Sequence, residues 1–194
     1  MYSNPHFLYN TLDTINWMLL EKKEYEISGI VVSLGEMMKY AISRSSRTVA
    51  LREEIRHVSN YLLIQKERME DKLEYEIDIP HQYESVQVPR LILQPLVENA
   101  IIHGISPKGQ GGRIHVRSWM EGRRLWISVA DTGRGMAQER LEEIRLALAR
   151  GEEKATGVGV GNIYRRVHGM YRDGEVFIYS SEGRGTVVQM AFTP

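Results

Sequence analysis

Apolar residues return at alternating intervals of three and four through the first third of the chain. Leu8, Leu12, Ile15 and Leu19 form one stripe, Ile27, Ile30, Leu34, Met37 and Ala41 a second, and Leu51, Ile55, Val58, Leu62 and Met69 a third. This spacing keeps one face of a helix apolar over several turns. Residues 5 to about 72 are therefore expected to be helical, interrupted by the polar run EKKEYE (21–26) and by SRSSRT (43–48), a loop by composition. Asn4 is a good N-cap and Pro5 suits the first helical position, which places His6 in a first turn. A helical hairpin this short buries little, so two copies are expected to pair into a four-helix arrangement. A monomeric three-helix packing has the same stripes.

The period changes near residue 73. LEYEIDI (73–79) alternates in the manner of a strand and Pro80 ends it. PRLILQPLVENAIIHG (89–104) reads as an apolar helix opened by Pro89 and stopped by Gly104, with a kink or the start of the regular helix at Pro95. RIHVRSWM (113–120) and RLWISVA (124–130) read as a hairpin, and AQERLEEIRLALAR (137–150) as a helix. The glycine-rich GEEKATGVGVG (151–161) reads as a loop, NIYRRVHGMY (162–171) as a helix, and EVFIYSS (175–181) with TVVQMAF (186–192) as a closing hairpin. The order predicts an α+β chain: a helical segment, 1–72, then a mixed, mostly antiparallel sheet with helices on one face, 73–194.

Composition narrows the choices. The 194 residues are 42% hydrophobic and 26% charged, with Lys+Arg equal to Asp+Glu. A net charge of zero removes the main argument for direct nucleic-acid binding, which needs a basic surface. There is no Cys, hence no disulfide framework or thiolate metal site, and a reducing, cytoplasmic setting is expected. No apolar run reaches the ~20 residues of a membrane helix, and no signal-peptide pattern is visible.

Three segments put polar groups or glycines where a packed core wants neither. In ENAIIHG, Asn99 interrupts an apolar helix, with Glu98 beside it and His103 one turn on. Its amide oxygen either completes the shell of Mg2+, which prefers oxygen ligands, or bonds a neighbouring backbone group. In DTGRGM (131–136), Asp131 ends an apolar strand and is followed by Gly133, Gly135 and Met136. An ionised carboxylate only accepts hydrogen bonds, so it selects a base with an amino donor, such as adenine, and the glycines allow close backbone approach. In GVGVG (157–161), Gly157, Gly159 and Gly161 precede a helix, where exposed N–H groups hold phosphates. The pattern is neither a Walker loop nor G-x-G-x-x-G after a strand.

In this order the segments resemble the catalytic core of a sensor histidine kinase. LVENAIIHG resembles the N box, DTGRGM the G1 box and GVGVGN the G2 box of the ATP-binding fold shared by histidine kinases, DNA gyrase, heat-shock chaperones and mismatch-repair ATPases. Gly185 and Thr186 match the glycine–threonine that closes the adenine site. At the front, NPHFLYNTL resembles the phosphoacceptor box of the LytS/YesM-type subclass, and IQKERMEDKL its third helical segment. The resemblance runs from Asn4 to Pro194. It implies a Bergerat-type α/β sandwich, ATP and Mg2+ as cofactors, and His6 as the residue that takes the γ-phosphoryl group. It further implies a homodimer, transfer to an aspartate of a response-regulator receiver domain, and a membrane-anchored parent carrying this region on its cytoplasmic side.

Two departures matter. Many histidine kinases place an acidic residue directly after the phosphoacceptor, and here it is Phe7, so a base must come from elsewhere, with Glu98 as the candidate. Gyrase-type ATPases carry a Glu four residues before the metal-binding Asn, and here that position is Pro95, which disfavours water activation. Asn10, one turn after His6, either supports the imidazole or orients a water in dephosphorylating a partner. His103 either faces the phosphates or the metal's water shell, or is simply a helix-end histidine beside Gly104, and 137–158 is expected as a lid over the nucleotide. The alternatives are a nucleotide-binding dimer without phosphotransfer and an ATP hydrolase driving a clamp.

Overall fold

The computed structural model describes residues 5–42, 46–150 and 158–194. Three helices come first: α1 (Pro5–Glu21), α2 (Tyr25–Ile42) and α3 (Leu51–Met69). Pro5 opens α1, as its missing N–H permits. Lys23, at φ 61°, turns the chain back, and the Ser28 hydroxyl donates to Asn16 Oδ1 at 2.5 Å across the resulting hairpin. The hairpin leaves apolar side chains in solvent: Phe7 is 68% exposed, Trp17 70%, and Ile15, Met18, Val32 and Leu34 are also exposed. Helix α3 behaves differently. Its Leu51, Val58 and Leu62 are fully buried in the main core with Leu73, Val88 and Leu93. Its start lacks a capping side chain, and the backbone of a distant loop satisfies it instead, with Leu51 N–H donating to Val86 O at 2.8 Å and Arg52 N–H to Glu84 O at 2.9 Å.

Beyond α3 come β2 (Leu73–Asp78), β4 (Gly112–Glu121), β5 (Arg124–Asp131), β6 (Glu175–Ser181) and β7 (Gly185–Phe192). They form a five-stranded sheet in the order β2-β4-β5-β7-β6. β2 runs parallel to β4 and the remaining pairs are antiparallel, so the expected mixed, mostly antiparallel sheet is observed. Alternate residues such as Ile114, Val116, Ile127, Val129 and Met190 are buried. On the opposite side of the sheet Trp119, Trp126 and Phe177 stack in a row, with ring centroids 5.8 and 5.5 Å apart.

Two three-residue strands were not expected: β1 (Thr48–Ala50) and β3 (Gln87–Pro89) pair antiparallel, away from the main sheet. This corrects the reading of Pro89 as a helix opener. Pro89 closes β3, and α4 (Gln94–Asn99) begins five residues later, with Pro95 at its start. From Ala100 to Ile105 the same helix widens into a π-helical turn. Helices α5 (Gln138–Ala149) and α6 (Val158–Met170) complete the set. α6 begins at Val158 rather than after Gly161, which corrects the loop predicted up to 161.

Candidate functional site: a nucleotide-type cavity at the end of β5

A cavity of about 350 Å3 opens between α4, the turn after β5, the start of α6 and the β6–β7 hairpin. Its size suits a nucleoside-sized ligand. Leu96, Val129, Ile144, Val160 and Val188 give it apolar walls, while Asn99, His103, Asp131, Arg134 and Thr186 bring polar groups. Gly135 and Met136 line it as well. Three segments far apart in sequence therefore meet around one cavity.

Asp131 is the last residue of β5 and pairs in register with Thr186 of β7. One carboxylate oxygen accepts the Gly133 N–H at 2.7 Å, an Asx-type turn that fixes the side chain. Burial pushes its carboxyl up to about 6, against the lowering pull of the Gly133 and Thr186 N–H groups and of Lys108. A half-buried acceptor at the end of a strand, already oriented by its own turn, suits recognition of an amino donor.

The 132–136 turn is held on every side. Thr132 N–H donates to Arg113 O at 3.0 Å, and Arg113 N–H returns to Thr132 Oγ1 at 2.9 Å. Arg134 N–H and Arg134 Nε–H donate to the carbonyls of Gly104 at 2.9 Å and His103 at 3.0 Å, which fastens the turn to the π-helical segment of α4. A π turn at this point fits the tendency of such bulges to occur at functional sites. Ser180 Oγ accepts from Met136 N–H at 3.0 Å and donates to Gly185 O at 2.9 Å, joining the turn to the closing hairpin.

Both glycines of the turn are demanded by the protein's own backbone. A Cβ at Gly133 would stand 2.2 Å from the carbonyl carbon of Gly104. One at Gly135, where φ is +65°, would stand 2.0 Å from Ser181 O. Gly133→Ala is expected to cost roughly 2–4 kcal/mol, because the atoms it would meet are Gly104 backbone rather than the end of a flexible side chain. A lowered urea midpoint with an unchanged slope checks this.

Asn99 ends the regular part of α4 and lies against the first turn of α6. A Cβ at Gly159 would be 2.2 Å from Asn99 Nδ2, so the glycine lets the helix start in contact with the amide. Gly161 is buried within that turn. Gly157 and the part of the expected lid at 151–156 lie outside the described residues.

Six of the described predicted site residues do not line the cavity: Gly133, Gly159 and Gly161, which lie in its turn and in α6, and Glu98, His6 and Asn10. Glu98 faces the other way: its Oε1 accepts from Gln94 Nε2 at 2.6 Å, and its charge helps raise the Tyr61 hydroxyl to about 12, after burial, the larger cause. His6 and Asn10 lie on exposed α1, where Asn10 Nδ2 and His6 Nδ1 are 3.2 Å apart. Sequence reasoning missed Arg134 and Ser180. Arg134 stood in plain view inside DTGRGM, whereas a serine in a strand carries no signal.

A fold and a cavity of this kind define a class, and comparison with known proteins agrees. Residues 3–73 match the histidine kinase family, and residues 85–194 match the family of histidine kinase-, DNA gyrase B- and HSP90-like ATPases. The chain belongs to the histidine kinases. Sensor histidine kinase YesM of Bacillus subtilis is 33% identical over 186 residues, which is 94% of this chain and 30% of YesM. The chain thus spans about a third of the curated relatives it matches. Among solved structures, ShkA in complex with AMPPNP has 17% identity and a TM-score of 0.55, over 98% of this chain and 46% of ShkA. ThkA in complex with the response regulator protein TrrA has 17% identity and a TM-score of 0.53, over 97% of this chain and 57% of ThkA. At this identity they establish the fold. Among the described residues, no helix is long and apolar enough to cross a membrane.

Proposed function

We propose that this chain is the kinase core of a two-component sensor, which transfers the γ-phosphoryl group of ATP to its own His6 and then to an aspartate of a response regulator. The observation that carries the reading is the meeting of Asn99, Asp131 and Thr186 around one cavity. The AMPPNP bound by ShkA and the regulator bound by ThkA support the nucleotide and the partner respectively.

Asp131 accepts the adenine amino group, and the apolar walls sandwich the ring. Thr186 closes the base end. The start of α6 and Arg134 face the phosphate end. Asn99 would offer one amide oxygen to Mg2+, and Gly159 lets the first turn of α6 lie against that amide. Bound there, the ion would supply charge neutralisation during transfer.

At the acceptor, a ring nitrogen of His6 attacks phosphorus, the N–P bond forms as the bond to the β-phosphate oxygen breaks, ADP departs, and the imidazole proton goes to solvent or a base. The Asn10 contact has a role here. An amide can be turned end for end without changing its shape. With its oxygen towards Nδ1 it accepts from Nδ1–H and fixes that tautomer, which makes Nε2 the nucleophilic nitrogen. Glu98, turned towards α3, serves structure better than proton transfer. Helices α1 and α2 supply the dimer face, where Phe7, Trp17, Met18 and Val32 stand exposed. Light scattering is expected to give a dimer mass, and Trp17→Glu to shift it towards monomer.

The direct test is incubation with Mg2+ and γ-labelled ATP. Label that survives base, is lost in acid, and passes to a receiver domain supports the reading. Inorganic phosphate released without protein label indicates a hydrolase, and nucleotide binding with neither indicates a binding module.

A further inference from the structure

A buried, heavily hydrogen-bonded side chain lies outside the cavity. Glu54, in the first turn of α3, is fully buried. Its Oε1 accepts the N–H of Leu91 at 2.6 Å, and its Oε2 accepts those of Ile92 at 2.8 Å and Leu93 at 3.1 Å. Three consecutive backbone donors converge because Leu91 takes φ +55°, a conformation that non-glycine residues rarely adopt. Strain of this kind persists only where the surroundings hold it in place. The same Oε1 also accepts the hydroxyl of Tyr40, from α2. The Tyr40 ring in turn lies 4.4 Å from the His57 ring and 4.4 Å from the Arg90 guanidinium.

The clamped residues are the lead-in to α4, the helix that carries Asn99. A second tie runs beside the first: His57 Nε2 bonds Gln94 Oε1, and Gln94 Nε2 donates to Glu98, the neighbour of Asn99. A short helix that turns π-helical halfway has little rigidity of its own, so its placement depends on what grips its start.

We propose that Glu54 is a positioning residue of the nucleotide site: one carboxylate ties α2, through Tyr40, and α3 to the start of the helix that presents Asn99. The inference rests on the nucleotide-site reading above. Its mechanical consequence is that a shift of α2 against α3 is felt at Asn99 through hydrogen bonds.

Intermediate spatial position is not proof of coupling, so the test needs a local readout. Amide hydrogen exchange over 91–105 and MgADP affinity are measured on the full chain, well below its unfolding temperature. Glu54→Gln replaces one acceptor oxygen by an amide that cannot accept, leaving buried N–H groups unpaired. It is expected to raise exchange over 91–105 selectively and to weaken MgADP about tenfold, with partial recovery in Glu54→Asp. Unchanged exchange over 91–105 in Glu54→Gln overturns the proposal, as does wild-type affinity. If Glu54→Gln does not fold, Tyr40→Phe decides: it removes one hydroxyl, and faster exchange confined to 91–105 supports the tie while none overturns it. A wild type that binds no MgADP refutes the nucleotide-site reading instead, and the exchange arm, read without ligand, still decides whether Glu54 positions α4.

Discussion

Asp131→Asn is expected to weaken nucleotide binding by at least about a hundredfold while making the empty protein more stable at neutral pH. Both effects have one cause. The Asp131 carboxyl is raised from 3.8 to about 6, chiefly by burial, so its ionised form is held in a place that disfavours charge. Between pH 4 and 6 the folded protein keeps a proton that the unfolded chain has already released. Stability therefore falls as pH rises through that window and the cost, about 3 kcal/mol at most, is carried in full above it. Asparagine carries no charge and one acceptor fewer, so the net gain at pH 7 is about 1–2 kcal/mol, vanishing below pH 4. Thermal unfolding of the two proteins at pH 7 and pH 3.5 checks the sign. Titration with MgADP checks the loss, and in the wild type its affinity is expected to decline as pH drops below about 6. A variant that binds as well as wild type refutes Asp131 as the base-recognising group.

His6→Gln is expected to leave MgADP affinity within about twofold and to abolish acid-labile phosphate, because the proposed acceptor lies on α1, apart from the cavity residues, and glutamine offers no ring nitrogen. The Asn10 contact adds a graded companion. Asn10→Asp keeps an acceptor for Nδ1–H and should retain most of the rate, whereas Asn10→Ala frees the tautomer and should slow phosphorylation about tenfold. Equal rates in all three exclude tautomer control. Label on His6→Gln excludes His6 as the acceptor.

The parts of this fold that were legible in the sequence are those whose period repeats several times. The stripes of α1 to α3 and the alternation of β2 and β4 to β7 each provide enough residues to tell a helical period from a strand period. The pair β1 and β3 was invisible, since three residues show no period and their partners lie some forty positions apart. Gly159 and Gly161 argued for a loop by propensity, yet α6 starts before them because the contact with Asn99 outweighs about 1 kcal/mol of helix preference per glycine. At the site, Asn99 and Asp131 announced themselves as polar residues in apolar or glycine-rich settings, whereas Thr186 was marked only by the family resemblance. Glu54 did not: in the sequence it is one of two adjacent glutamates at a helix start, indistinguishable from a solvated first-turn acid. Only the folded chain separates them, by turning one into the core.

The three tryptophans divide the molecule spectroscopically. Trp119 and Trp126 are stacked on each other in the sheet, whereas Trp17 alone is 70% exposed on the helical hairpin. With the stacked pair as a constant background, the steady-state emission of the wild-type chain becomes a label-free gauge of whatever covers α1: a blue shift with rising concentration reads self-association, and quenching by iodide reads its reversal. Replacing Trp17 by Phe removes that signal and leaves an exciton pair whose far-ultraviolet dichroism follows the sheet alone, so assembly and folding can be watched in one sample at two wavelengths.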